Sequence, residues 1–302
     1  MEEAPSPGEF LWAFSFDAAW IVVLGAAALA YAEAFRRARG GPRQPHPIWK
    51  LVSFQGGALL CALAVLSPLE RYGNQVLWLN FLGFLLLTMV APPLLLFGSP
   101  LTLAFRVCGR RKRRLLRRLY RGRVARLVTF PMFTWLAFAG LTYTWQFTRL
   151  TDEAAANGVV RDLQQASLLG VALLFWIPAL AADPLAWRMP HPLRGLYLFV
   201  EMTHKGLFGG MFLSANDAFH AGYSANLPAW AGLSAIDDQR LAIFVLWLGG
   251  NVIFIVALIG IIIRWNQYER RNAHRTDWRL GLEREAFARR EAALEQIFSR
   301  PF

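Results

Sequence analysis

Residues 201–211 read Glu201-Met-Thr-His-Lys-Gly-Leu-Phe-Gly-Gly-Met and lie inside an apolar run from about Gly195 to Ser214. At a rise of about 1.5 Å per residue, a helix over this run is long enough to cross a bilayer. An acid, a histidine and a lysine then fall near the middle of the membrane, where ionisable side chains are costly and need a partner or a task. We therefore expect the rest of the chain to surround this element.

Apolar runs of similar length recur along the chain, which has 302 residues, 56% of them hydrophobic. Such runs, separated by charged loops, are typical of helical membrane proteins, because lipid offers the backbone no hydrogen-bond partners. The sequence predicts an all-α polytopic membrane protein, with a transmembrane domain over residues 1–264 and a basic, amphipathic tail over 265–302. The seven expected spans cover residues 11–35, 51–66, 76–96, 127–145, 163–182, 195–214 and 241–263.

The basic residues predict the orientation of these spans. Most of the 32 Lys and Arg residues lie in the 35–50 loop, the 98–126 segment, the 183–195 turn and the tail. Because basic loops remain in the cytoplasm, we expect the N-terminus outside and the C-terminus in the cytoplasm. The net charge of +12 has a sufficient explanation in this pattern, and no nucleic-acid recognition fold accompanies it.

Helical spacing places Glu201, His204, Lys205, Phe208 and Met211 on one face of the sixth span. A histidine nitrogen and a methionine sulfur together suit Cu(I), so this face is a candidate metal or proton site. The simpler interpretation is an internal ion pair, since Glu201 precedes Lys205 by four residues, the favourable order on a helix. His204 would then only hydrogen-bond to another helix.

His220 lies in the loop after the sixth span and could complete a copper site with His204 or Met211 if the loop folds back. The alternative is that His220 is simply solvated, as loop histidines commonly are. The sequence leaves both interpretations open.

Other polar features stand near the ends of the spans. Asp17 and Asn80 lie near the outer ends of the first and third spans, where they could line a cavity or cap a helix. Asp237-Asp238-Gln239 follows Ser234 at capping-box spacing and is expected to open the seventh helix. The adjacent prolines Pro92-Pro93 must break or kink the third span, and the freed carbonyls then need other partners.

A strongly basic segment connects the third and fourth spans. It could bind a protein partner or anionic lipid headgroups, and its interleaved leucines suit a helix lying on a surface. Fixing the topology would also explain it without any further role. Its cations are Arg110, Arg111, Lys112, Arg113, Arg114, Arg117 and Arg118.

Four stretches, taken in order along the chain, carry a family resemblance. They are Met89-Val-Ala-Pro-Pro-Leu-Leu-Leu-Phe-Gly-Ser-Pro, Leu174-Phe-Trp-Ile-Pro, Arg194-Gly-Leu-Tyr-Leu-Phe and Gly232-Leu-Ser-Ala-Ile-Asp-Asp-Gln-Arg-Leu-Ala. From the second span to the seventh, the chain resembles the CtaG-type, caa3 cytochrome c oxidase assembly factors. The resemblance implies a protein of the bacterial inner membrane that helps a haem-copper oxidase mature, with oxidase subunits and the lipid bilayer as partners and copper as its cargo.

The resemblance also implies histidines in the third span, near the start of the fifth and just after the fourth. At those positions this chain has Asn80 and Phe84, Gln165, and Gln146. Neutral amides and a phenylalanine do not replace imidazoles as copper ligands of comparable strength. Copper binding by the family's usual residues is therefore not expected here.

Two functions remain open from the sequence. Either His204, Met211 and His220 have taken over copper binding, or the chain is a metal-free scaffold or structural subunit of a respiratory membrane complex. A transporter or proton-conducting receptor is a third class; among these, a retinal protein is disfavoured because the seventh span has no lysine to hold retinal. The spans show no nucleophile–base pair, phosphate loop or zinc signature, so we do not expect an enzyme.

Overall fold

The computed structural model describes residues 14–40, 46–183, 187, 189–215 and 217–298, and within these ranges it contains helices and no strands. The α-helices are α1 Ala18–Arg39, α2 Ile48–Leu66, α3 Pro68–Gly73, α4 Leu77–Leu85, α5 Ala91–Phe97, α6 Pro100–Val107, α7 Arg110–Arg121, α8 Arg123–Val128, α9 Pro131–Gln146, α10 Leu150–Ala156, α11 Gly158–Leu180, α12 His191–Leu213, α13 Ala221–Asn226 and α14 Ala235–Phe298. A π-helix, Leu86–Val90, joins α4 to α5, and a short 3-10 helix covers Ala229–Ala231. The all-α prediction is thereby confirmed.

Five stretches are long and apolar enough to cross a membrane. They are Ala18–Arg39, Ile48–Leu66, Leu77–Val107, Gly158–Leu180 and Ala235–Ala273. The predicted spans at 127–145 and 195–214 correspond to α9 and α12, which are not among these five stretches of the described chain. Helix α9 has 16 residues, fewer than the roughly 20 that a bilayer requires. The count of seven spans and the orientation therefore remain predictions.

Two predicted segments, the first span and the tail, extend beyond the residues that the structure describes. Residues 11–13 of the predicted first span and residues 299–302 of the predicted tail lie outside the described residues. The seventh span and the tail form one helix, α14, which runs without a break to Phe298. The basic 98–126 segment, expected as a connection, contains α6, α7 and most of α8.

Aromatic side chains fill the core where α11 crosses α9, α12 and α14. Phe175 stacks on Phe138, with ring centroids 4.8 Å apart, and on Tyr197 at 5.0 Å. Trp176 stacks on Phe254 of α14 at 5.6 Å. Burying aromatic rings of this size contributes most of the packing contact in such a core. These ring contacts join α11 to α9, α12 and α14 in one aromatic core.

The π-helix has a specific cause in the sequence. Pro92 lacks a backbone N–H, so the carbonyl of Thr88 four residues earlier cannot receive its usual helical hydrogen bond. The backbone instead adopts i→i+5 bonding, with the Ala91 N–H donating to Leu86 O. The freed Thr88 carbonyl accepts a hydrogen bond of 3.0 Å from the Trp176 indole. The break predicted from the paired prolines is confirmed, together with a partner for the freed carbonyl.

Helices α4 and α6 are capped by carboxylates from residues far away in the sequence. The Asp238 side chain accepts from the N–H groups of Leu77 at 2.8 Å and Trp78 at 3.0 Å, at the start of α4. The Asp183 side chain accepts from the N–H groups of Leu101 at 3.1 Å and Thr102 at 2.8 Å, at the start of α6. Helix N-termini carry unsatisfied donors and a partial positive charge, so a carboxylate is well suited to both places.

Candidate functional site

Lys205 of α12 points into the centre of the bundle. Its Nζ lies 3.4 Å from the sulfur of Met89, in the π-helix. The same ammonium faces the rings of Phe84, Phe138 and Phe254, with the centroids 5.6–6.0 Å away. Aromatic faces attract a cation through the ring quadrupole, and the attraction strengthens away from water. The bundle therefore holds the lysine charge in a box of three phenylalanines and one thioether, described below as the lysine box.

Glu201 and His204 form the second part of this face. Glu201 is 1% exposed, and its Oε2 lies 3.3 Å from Nδ1 of His204. Neither of these two atoms has a well-formed hydrogen bond to another described residue. The His204 ring packs between Trp135 at 5.2 Å and Tyr143 at 5.1 Å. The direct Glu201–Lys205 ion pair predicted from the spacing is therefore wrong: the carboxylate approaches the imidazole, while Lys205 turns toward the π-helix.

The three candidate copper ligands lie in different surroundings. Met211 is 51% exposed, on the outer surface of α12 rather than in the core. His220 is buried, with Nδ1 at 3.8 Å from an Asp152 carboxylate oxygen and its ring stacked on Phe212. Burial lowers the pKa of His220, and the Asp152 charge opposes that shift. A solvated His220, the simpler interpretation from sequence, is wrong, and its neighbours are not those of His204.

A second polar cluster lies between α3 and α11. The Glu70 carboxylate forms an ion pair with the Arg161 guanidinium, and both side chains are about nine-tenths buried. The Gln165 amide donates a hydrogen bond of 2.5 Å to the same carboxylate. Burial raises the pKa of Glu70, and the adjacent Arg161 opposes the rise. The cluster is therefore an internally neutral pair of charges, supported by an amide.

This pair borders a cavity of about 30 Å³, described below as the polar cavity. The cavity has room for about one or two groups the size of a water molecule. Asn80, Phe84, Gln146 and Gln165 all line it. These are the four positions at which the family resemblance implies histidines, and the fold brings them to one place. The Oε1 of Gln146 has no hydrogen-bond partner among the described residues.

The sequence of the chain also matches a known protein family. The sequence model for the cytochrome c oxidase caa3 assembly factor family matches residues 29–267, which include α2 to α13 and both polar clusters. The chain belongs to this family. No solved structure matches it.

Three mycobacterial proteins are similar to this chain. Uncharacterized proteins of Mycobacterium bovis and Mycobacterium tuberculosis are each 27% identical over 292 residues. An uncharacterized protein of Mycobacterium leprae is 25% identical over 289 residues. In each case the alignment covers 92% of this chain and 43% of the relative. The chain therefore spans less than half the length of these relatives.

The copper that the family resemblance implies does not fit the residues around the polar cavity. Around the polar cavity stand three glutamines, an asparagine and a phenylalanine, none of which is a good Cu(I) ligand. The described residues contain no group of three or more His, Cys, Asp or Glu placed to hold a metal ion. His204 and Glu201 supply two donors at most at their own site.

The other polar residues predicted from the sequence cap helices. Asp17 caps α1, accepting from the N–H groups of Ala19 at 2.8 Å and Trp20 at 3.1 Å. Ser234 and Asp237 form the expected capping interaction at the start of α14. The role of Asp238 as a cap for α4 was not predicted, because the partner is 161 residues away.

The basic segment forms the helix α7 in this family member. Of the seven basic side chains named in the sequence analysis, six are exposed and that of Arg113 is half-buried. The Arg113 guanidinium donates a hydrogen bond of 3.3 Å to the carbonyl of Cys108. Leu115 and Leu119 are also exposed, so the helix presents cations and leucines to its surroundings together. That surface suits an anionic lipid layer or an acidic protein partner, and the fold does not favour one of these two over the other.

Two residues of the polar clusters were missed by sequence reasoning as site residues. Glu70 and Arg161 stand 91 positions apart, in the connections that follow the second and fourth predicted spans. No local spacing links them, so only the fold reveals that they pair. The available signal was indirect, since each is an ionisable residue directly beside an apolar run.

Proposed function

We propose that this chain is a membrane-embedded assembly factor for a haem-copper cytochrome c oxidase. The family match over residues 29–267 and the five apolar helices support this role. The proposed partners are oxidase subunits within the same bilayer, and the proposed location is the bacterial inner membrane. The protein would act by binding an oxidase subunit during maturation and would catalyse no reaction of its own.

The polar cavity carries the more specific part of the proposal. Its lining replaces the histidines implied by the family with amides and a phenylalanine, and beside it the Glu70–Arg161 pair already contains one cation. A buried cation paired with a carboxylate leaves no net negative charge to attract a metal ion. We therefore favour a scaffold that assists the oxidase without holding copper at this cavity.

Deletion of the gene in the host organism tests the role in assembly. We expect less assembled haem-copper oxidase, measured as haem absorbance and oxidase activity of the membranes, and recovery on re-expression of this chain. Unchanged oxidase content in the deletion strain would contradict the proposal. A chain carrying Arg161→Gln, which leaves Glu70 unpaired, provides a variant whose loss of function would tie the role to the polar cavity.

Copper delivery from the sixth predicted span is a second candidate. The observation in its favour is that Glu201 Oε2 and His204 Nδ1 are buried 3.3 Å apart without another hydrogen-bond partner among the described residues. Copper stoichiometry of the detergent-purified, reduced protein separates the two functions. About one Cu(I) per chain, lost in His204→Ala, would favour delivery. Copper at background in both proteins would favour the scaffold.

A further inference from the structure

A groove opens between α5, α11, α12 and α14 and does not include the residues of the polar cavity. It encloses about 310 Å³, at the lower end of the range for ligand pockets. Its floor is buried and apolar, with Met89 and Trp176 at 0% exposed and Leu180 at 5%. On the α14 side, Val252 and Val256 line it and are 52% and 65% exposed, so this side is open to the surroundings of the helices.

Cationic and titratable groups gather at one end of this groove. Arg264 lines it one turn beyond Ile261, and His191 and Arg194 line it from the start of α12. Arg264 donates at 3.3 Å to the carbonyl of Leu180, and Arg194 donates at 2.9 Å to the carbonyl of Met189.

The described residues place no carboxylate in an ion pair with Arg264. The acid closest in sequence to the end of α11 is Asp183, and its carboxylate is engaged by the N-terminus of α6. The positive charge of Arg264 is therefore not neutralised by a described carboxylate.

The geometry points to an anionic phospholipid as the occupant: one acyl chain lies along the apolar groove and the phosphate contacts Arg264, with Arg194 and His191 beside it. The ligand must be amphiphilic because the walls are apolar and the charge is confined to one end. A soluble anion would gain nothing from the walls, and a zwitterionic lipid would gain less from the cationic end. Long arginine side chains commonly reach the headgroup level in this way.

The proposal concerns a site that neither the family role nor copper requires, so it stands or fails separately from the proposed function. Met89 belongs to both the lysine box and the groove. Its sulfur contacts Lys205, and the same residue lines the groove. A bound acyl chain would pack against the π-helix from the opposite side.

The test uses the full chain, purified in detergent and delipidated. Native mass spectrometry measures retention of phosphatidylglycerol and of phosphatidylcholine with identical acyl chains. We expect wild type to retain phosphatidylglycerol preferentially. Arg264→Gln should reduce that preference by about fivefold, the effect of one arginine near an anionic headgroup. Arg270→Gln, an exposed position on the same helix that does not line the groove, is the matched control.

A second variant tests the apolar part of the groove. A Cβ added at Gly260 meets no atom within 4 Å, so Gly260→Leu fills the groove without striking the backbone. It should lower retention of both lipids, whereas Gly140→Leu should not, because Gly140 is exposed on α9 and equally unobstructed. Should Gly260→Leu fail to fold, Val256→Trp narrows the groove from its open side.

Three results would overturn the proposal. Wild type could retain both lipids equally, Arg264→Gln could retain the preference unchanged, or groove-filling variants could bind both lipids as wild type does. Inorganic phosphate is the probe for a soluble anion. Displacement of phosphatidylglycerol by inorganic phosphate at similar concentrations would also count against the lipid and identify a simple anion site.

Discussion

At the scale of single residues, the lysine box surrounds a charge that is partly buried in the bundle, that of Lys205. Its ammonium is surrounded by Met89 and three phenylalanine rings. The Glu201 carboxylate attracts this ammonium electrostatically, without a direct contact. Lys205→Met fits the box by shape but leaves Glu201 without an opposing charge. Because the two charges are not in direct contact, we expect a loss of stability below the roughly 3 kcal/mol of a broken buried ion pair.

The double variant Glu201→Gln/Lys205→Met is the control for this prediction. It removes both charges, and it should be less destabilised than Lys205→Met alone in thermal unfolding of the detergent-purified protein. A double variant less stable than the single one would show that the two residues do not neutralise each other.

Because His220 is buried, we expect the stability of the folded protein to depend on pH. Burial holds its folded-state pKa below the ordinary value of 6.5, so the folded protein favours the neutral ring. The stabilisation is present above pH 6.5 and is lost as the pH falls through the lowered pKa, because the unfolded state binds the proton more readily. His220→Gln should flatten the fall in thermal stability below pH 6.5. Burial of His46 acts in the same direction, so some slope should remain.

Asp152 provides a check on the sign of this effect. Its carboxylate opposes the lowering of the His220 pKa, so Asp152→Asn should enlarge the loss of stability at low pH. A wild-type pH profile in Asp152→Asn and in His220→Gln would mean that another group titrates.

What the sequence could predict at this scale was the presence of buried charge. The spacing placed Glu201, His204 and Lys205 on one face, because helical periodicity is a local property. It could not predict their partners, since Met89 and Phe254 reach Lys205 through the packing of distant segments. The same limit hid the Glu70–Arg161 pair.

At the scale of elements, the π-helix is the feature that a variant can test. Trp176 donates to the Thr88 carbonyl that Pro92 leaves free. Trp176→Phe leaves that buried acceptor unsatisfied, at a cost of about 1–3 kcal/mol beyond the loss of ring contacts. Trp135→Phe is the matched control, because the Trp135 indole N–H has no hydrogen-bond partner among the described residues.

Thermal unfolding of the two variants gives the comparison directly. Trp176→Phe should unfold at a clearly lower temperature than Trp135→Phe. Equal destabilisation would indicate that ring contacts alone account for Trp176 and that the freed carbonyl needs no donor. The sequence predicted the break at Pro92-Pro93 from proline chemistry, but it could not supply the donor, which lies 88 residues further along the chain.

At the scale of the whole molecule, Asp238 joins the start of α14 to the start of α4. Asp238→Ala removes two charge-assisted hydrogen bonds from a buried helix terminus, and we expect a loss of about 2–3 kcal/mol. Asp237→Ala, one position away and half-exposed beside Arg240, should cost less than about 1 kcal/mol. Thermal unfolding that ranks Asp237→Ala as the more harmful change would contradict this account.

The large-scale architecture was the easier part to predict. Long apolar runs determine where the major helices lie, since lipid leaves the backbone few alternatives. In the basic 98–126 segment, the interleaved leucines indicate one surface helix, but they do not show that the segment is divided into α6, α7 and most of α8. Gathering Asn80, Phe84, Gln146 and Gln165 around one cavity depended on the order of the helices in space, which no local pattern specifies.

The caps from distant residues impose an order on biosynthesis. A chain made from its N-terminus completes α4 long before Asp238 exists, because 161 residues separate Asp238 from Leu77. The first amides of α4 therefore stay uncapped until the last apolar segment has been translated and inserted. Asp183 likewise reaches α6 only after a further 82 residues from Leu101. The final segment thus closes a structure begun much earlier, and a ribosome that stalls before it leaves the third apolar segment unfinished.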